Sequence, residues 1–182
     1  MQDDILLGML MYFVLPVWLA AGFADYLCHR GAHIELTSGW RESLLHLLQL
    51  AEMAIPILAA MFLEITSAVI LLMIVCLVLH QLTAMWDVSF ATTKREVKPI
   101  EQHVHSVLEM MPLTGLLMVV ALHWSAFLGL LGLGPASFTI ALKPAPPSWP
   151  YVATVFTLTA LFEILPYFEE LLRGILNRNR PL

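Results

Sequence analysis

Asp25, His29 and His33 recur at intervals of four, a spacing that keeps three side chains on one side of an α-helix. Glu42 and His46 repeat the interval. His80 and Asp87 are seven apart, which at 100° per residue leaves them about 20° from eclipsed. Glu101, His105 and Glu109 form a further row at i, i+4 and i+8, with His103 beside it. Imidazoles offer neutral nitrogen donors and carboxylates offer charged oxygen donors, so a layer built from both is a candidate site for transition-metal ions. Two divalent ions would neutralise the charges of Asp25, Glu42, Asp87 and Glu109. Iron is the first expectation, with zinc or manganese also compatible. Mixed nitrogen and oxygen donors with no cysteine pair oppose an iron–sulfur cluster or a zinc–thiolate site.

The elements that must position these groups are membrane helices. Of 182 residues 59% are apolar and 13% charged, with a mean hydropathy of +0.81, which excludes a soluble cytosolic domain. A spanning helix needs about 20 apolar residues, so the chain holds roughly five. We expect an all-α polytopic integral membrane protein, one transmembrane helical domain over 1–182. The spans fall at 5–24, 43–63, 65–86, 106–133 and 151–172, the second and third forming an antiparallel hairpin. Asp3 and Asp4 precede the first run where a signal peptide would carry lysine, so it reads as a retained helix. Pro135, Pro144, Pro146, Pro147 and Pro150 make 134–150 a loop. Pro16, Pro56, Pro112 and Pro166 should kink four of the five spans and open a lateral cavity.

Short loops rich in lysine and arginine stay in the cytoplasm. With the N-terminus out and the C-terminus in, Arg30, Arg41, Lys94, Arg95, Lys98, Arg173, Arg178 and Arg180 lie on the cytoplasmic side and Lys143 alone on the outer. An odd number of spans is required, and five satisfies it. Spans one to four then form a metal-binding bundle that delivers imidazoles and carboxylates to one cytoplasm-side depth. His123, 18 residues beyond His105, is roughly 27 Å further along its helix and outside the layer. An uncompensated carboxylate at mid-membrane costs roughly 2.5 to 3.5 kcal/mol on insertion scales, which is the physical reason to expect cations there.

The stretch His29-Arg30-Gly31-Ala32-His33 matches the HRxxH form of a histidine box and resembles the membrane fatty-acid hydroxylase and desaturase superfamily. His103-Val104-His105 is similar to its later paired-histidine box. The resemblance implies two irons at the cytoplasmic face, held by His29, His33, His103 and His105, that activate dioxygen to oxidise lipid chains. This chain has seven histidines and supplements them with acids.

Other roles stand beside these. His29, His33 and His103 could be interfacial residues with their tips in water, and Glu42 and Glu101 could be first-turn acids at positive helix ends. Glu52 and Glu163, deeper in their spans, could pair with neighbouring hydroxyls or amides or form a proton path. Arg30, Gln102 and Ser106 are candidates to support the ligands. The leading expectation is an oxidoreductase using dioxygen to hydroxylate or desaturate a lipid-like substrate, with an electron-donor protein as partner. A metal-ion or proton transporter and a haem b electron carrier are the alternatives. The low charge leaves no basic patch for nucleic acid.

Overall fold

The computed structural model describes residues 1–178; Arg180 lies outside them. Among the described residues six α-helical elements follow in order, α1 (Gln2–Ala32), α2 (Trp40–Phe62), α3 (Ser67–Thr92), α4 (Pro99–Leu122), α5 (Trp124–Leu130) and α6 (Trp149–Asn177), with a single 3-10 turn at Ile34–Leu36 between the first two. All but α5 are long and apolar enough to cross a membrane. The all-α chain is therefore consistent with a polytopic membrane protein.

Local sequence explains the helix ends. Thr66 caps α3 by accepting from the Val69 amide at 3.5 Å. Pro99 starts α4 and Pro150 lies in the first turn of α6, positions where a missing N–H costs nothing. The expected fourth span, 106–133, is instead divided. α4 begins earlier, at Pro99, and closes at His123, whose backbone is not helical (φ −122°, ψ 43°). Its amide still bonds to Val119 and Val120 at 3.0 and 3.2 Å, so the break leaves no orphaned donor. Two of the four internal prolines follow a widened turn: Leu10–Val14 precedes Pro16, and Ala160–Ile164 precedes Pro166. A proline cannot donate to the carbonyl four residues back, and a π-type turn is one way for a helix to absorb that loss.

The segment 131–148 is non-helical, as its prolines require. It folds back over the α2–α3 turn: Glu64 donates to Ala141 at 2.9 Å, Lys143 to Phe62 at 2.8 Å, and the Thr66 hydroxyl to the Thr139 carbonyl at 2.9 Å. Polar backbone at this end of the helices is thus paired, as an apolar surrounding demands.

Ala59, Val69, Met73 and Val119 join α2, α3 and α4 in one packed cluster. Met61, Val152 and Val155 join α2 to α6 in a second. Leu79, Leu82, Phe168 and Leu172 point outward, where acyl chains would cover them. At the opposite end from the loop, α6 approaches the start of α2 closely. A Cβ on Gly174 would lie 2.7 Å from the Trp40 amide nitrogen, so only glycine permits that approach. It carries the last turns of α6 against the layer described next.

Candidate metal centre

Asp25 and His29 come from α1, Glu42 and His46 from α2, Asp87 from α3, and Glu101 and His105 from α4. All except His105 are buried. The spacings of four place Asp25, Glu42 and Glu101 one turn from His29, His46 and His105, and the helices turn these rows toward each other. Asp25, His29, Glu101 and His105 present one donor atom each within 4.8 Å of one another. His29, Glu42 and His46 do the same. The two clusters share His29 and are compatible with coordinating metal ions.

Proximity in this layer does not amount to hydrogen bonding. His105 Nε2 lies 2.9 Å from Asp25 Oδ1, and His46 Nε2 lies 3.1 Å from Asp87 Oδ2. His29 Nε2 lies 3.4 Å from both Asp25 Oδ1 and Glu101 Oε1. Yet Asp25 Oδ1, His29 Nε2, His46 Nε2 and Asp87 Oδ1 are all buried without a hydrogen-bond partner. A buried polar atom left unpaired costs about 1–3 kcal/mol, and four so close together make a donor set that a cation would satisfy.

α6 adds a group that spacing on the first four spans did not single out. Glu170, fully buried, places one oxygen 3.1 Å from His29 Nδ1 and the other 2.9 Å from His46 Nδ1. A carboxylate that accepts from Nδ1–H fixes the tautomer and leaves Nε2 free as a ligand. Tyr167, one turn earlier, donates to the Gly22 carbonyl at 3.0 Å and lies 3.4 Å from Asp25 Oδ2. The available signal was the row Glu163, Tyr167, Glu170 at i, i+4 and i+7, the same kind of stripe as on the other helices.

Arg95, in the connection between α3 and α4, also joins the layer. Its guanidinium donates to Glu42 Oε1 at 2.6 Å and pairs with both oxygens of Glu101. Burial would lower its pKa, but the Glu101 and Glu42 carboxylates override that and hold it above the ordinary arginine range.

The remaining sequence candidates lie elsewhere. His33 takes a left-handed backbone (φ 52°) at the end of α1, is 71% exposed and faces Glu35 at 3.4 Å. His103 and Gln102 are exposed, and Ser106 donates to the Gln102 carbonyl. Arg30 pairs with Glu169 at 2.9 Å on the surface. Glu109 and His80 border a small chamber of mixed polar and apolar lining next to the clusters, together with Glu163 and Trp18. Glu52 accepts from the Thr83 hydroxyl at 2.8 Å and faces His80 Nδ1 at 4.0 Å. Glu163 is buried with one unpaired oxygen against Gly22, where any Cβ would collide with its carboxylate.

Comparison with protein-family models, with curated proteins and with solved structures finds no match to this chain. What the fold and site define is a class: a helical bundle of membrane character whose clustered histidines, aspartates and glutamates are consistent with a generic di-metal architecture.

Proposed function

We propose that the protein is a membrane oxidoreductase whose layer holds two transition-metal ions, iron in first place, and that it uses dioxygen to oxidise a lipid-like substrate. The carrying observation is the set of buried, unpaired donors on His29, His46, Asp25 and Asp87. Charge supports it. Asp25, Glu42, Asp87, Glu101 and Glu170 bring five negative charges and Arg95 one positive, so two divalent ions leave the layer neutral. One ion would take Asp25, His29, Glu101 and His105. The other would take Glu42 and His46, with Asp87 beside His46.

Bound there, the ions would supply the activation of dioxygen. For hydroxylation, one oxygen atom enters a C–H bond and the other leaves as water, with two electrons from a donor protein and two protons. The chain's own part is to hold and to orient. Glu170 fixes both imidazoles, and Arg95 restrains Glu42 and Glu101. Arg30 in the last turn of α1, Arg41 at the start of α2, the basic residues between α3 and α4, and Arg173 and Arg178 at the end of α6 lie at the same end of the long helices as the layer, which supports five spans in one domain with the N-terminus out and the site toward the cytoplasm.

Elemental analysis with an absorption spectrum of the gently extracted protein tests this reading. About two iron atoms per chain are expected. Less than one transition metal per chain would count against it, and a Soret band would select a haem carrier instead.

One observation favours a second reading, transport of protons or a metal ion. Glu52 Oε2, His80 Nδ1 and Glu163 Oε1 are buried and unpaired deeper in the helices. A proteoliposome flux that depends on Glu52 or Glu163 would establish it.

A further inference from the structure

The metal layer lies at one end of the long helices, and a larger cavity of about 220 Å³ lies toward the other. It extends along α1 from Leu7 to Trp18, eleven residues or roughly 16 Å of helix. Met11, Met53, Met61, Met73 and Met111 form much of its wall. Methionine is unbranched and adaptable, so such a wall can accommodate a flexible apolar chain. Polar groups occur at the two ends. Lys143 and His123 are at the loop end. At the other stands Trp18, which also lines the small chamber bordered by Asp25, His105 and Asp87 and whose indole N–H is buried without a partner.

Lys143 is held in place. Its backbone pairs with Phe62, and its ammonium donates to the Ala60 carbonyl at 2.6 Å, a group left without a partner in the last turn of α2. An ammonium has three donors, so two remain for a ligand. Burial lowers the Lys143 pKa, and no carboxylate of the described residues opposes that. A half-buried cation without a counter-ion, at the mouth of an apolar slot, calls for an anion attached to an apolar chain.

We propose that the cavity binds a long-chain fatty acid, its carboxylate on Lys143 and its methyl end at Trp18, beside the metal layer. This rests on the oxidoreductase reading for its catalytic meaning, but the binding itself does not need the metal. A neutral head would leave Lys143 uncompensated, and one cavity with one cation suits one chain better than a two-chain phospholipid. The chain atoms brought nearest the layer are those furthest from the carboxylate, so oxidation would fall in the distal part of the chain.

The test uses the full-length protein in detergent, before and after chelator treatment, with radiolabelled palmitate. Saturable binding is expected in both preparations, weakened about tenfold or more by Lys143→Gln, restored by Lys143→Arg, with the metal content of both variants unchanged. Palmitate brominated at its terminal carbon should quench a tryptophan signal that Trp18→Phe removes, and palmitate brominated next to the carboxylate should not. The proposal is overturned if Lys143→Gln binds as well as wild type, if methyl palmitate or a two-chain phosphatidic acid competes equally, or if the quenching pattern is reversed. Protein that binds palmitate but holds no metal defeats the oxidoreductase reading alone, whereas metal-loaded protein that binds no palmitate defeats this one alone.

Discussion

His29 and His46 stack nearly parallel, 12° apart with ring centroids at 4.4 Å, although they come from different helices. Glu170 explains the arrangement, because its two oxygens meet the two Nδ1 atoms. One carboxylate on α6 thereby sets the orientation of two rings on α1 and α2, and both Nε2 atoms face the acids.

Glu170→Gln tests that link. The amide keeps the shape but loses the charge and one acceptor, so the two rings can no longer both be held as Nδ1 donors. Loss of such a supporting partner typically costs 10–100-fold in metal affinity. Competition with a graded series of chelators measures it, and an unchanged affinity would remove Glu170 from the centre.

Arg95→Met leaves Glu42 and Glu101 buried beside each other without their counter-charge. Arg95 is 4% exposed and the two acids 1%, a setting in which removing one partner costs about 3–5 kcal/mol. Thermal unfolding in detergent should show a clear drop in midpoint after chelation. Added divalent metal should recover part of it, since a cation supplies what the guanidinium did.

The histidine-box stretch separates into two fates. His29 is buried among four acids, whereas His33, four residues on, is 71% exposed. We expect His33→Ala and His103→Ala to retain the metal content of the wild type, and His29→Ala and His105→Ala to lose most of it. Parallel elemental analysis of the four variants decides this. Loss of metal in His33→Ala would favour the histidine-only ligand set that the resemblance implies.

That contrast shows what the sequence could and could not convey. The long apolar runs identify the membrane helices because bilayer thickness imposes their length, and intervals of four reveal the rows because helix geometry imposes the period. Neither says where a helix stops. His33 continues the row by spacing, but the chain turns left-handed there and its ring leaves the layer. Glu170 and Arg95 were hidden for the opposite reason. Glu170 is one of two adjacent acids near a helix end, and Arg95 sits among basic residues that serve orientation as well, so only packing distinguishes them.

Gly174→Ala addresses the packing that brings Glu170 into place. The added methyl would meet backbone, at 2.7 and 2.8 Å from the Trp40 nitrogen and Cα, which cannot swing aside as a side chain could. Overpacking of this kind costs about 1–3 kcal/mol. The expected result is a lower unfolding midpoint together with weaker metal retention. Gly31→Ala, where a Cβ meets nothing within 4 Å, should change neither.

His123, at the far end from the centre, gives a pH signature of its own. Burial lowers its pKa, the Lys143 cation lowers it further, and Asp3 opposes both. The folded protein therefore holds His123 neutral at pH values where the unfolded chain, titrating near the ordinary value of about 6.5, has begun to take up a proton. Proton uptake by the unfolded state means that stability falls as pH drops from about 6.5 toward the lower folded value, and that His123 adds no slope above that range. His123→Gln should flatten this part of the profile. Because other groups titrate in both proteins, the quantity to compare is the difference in unfolding midpoint between wild type and variant at about pH 7.5 and pH 5.5. A difference that does not change with pH would mean that His123 titrates alike in the folded and unfolded states and is not held neutral by the surroundings of the cavity mouth.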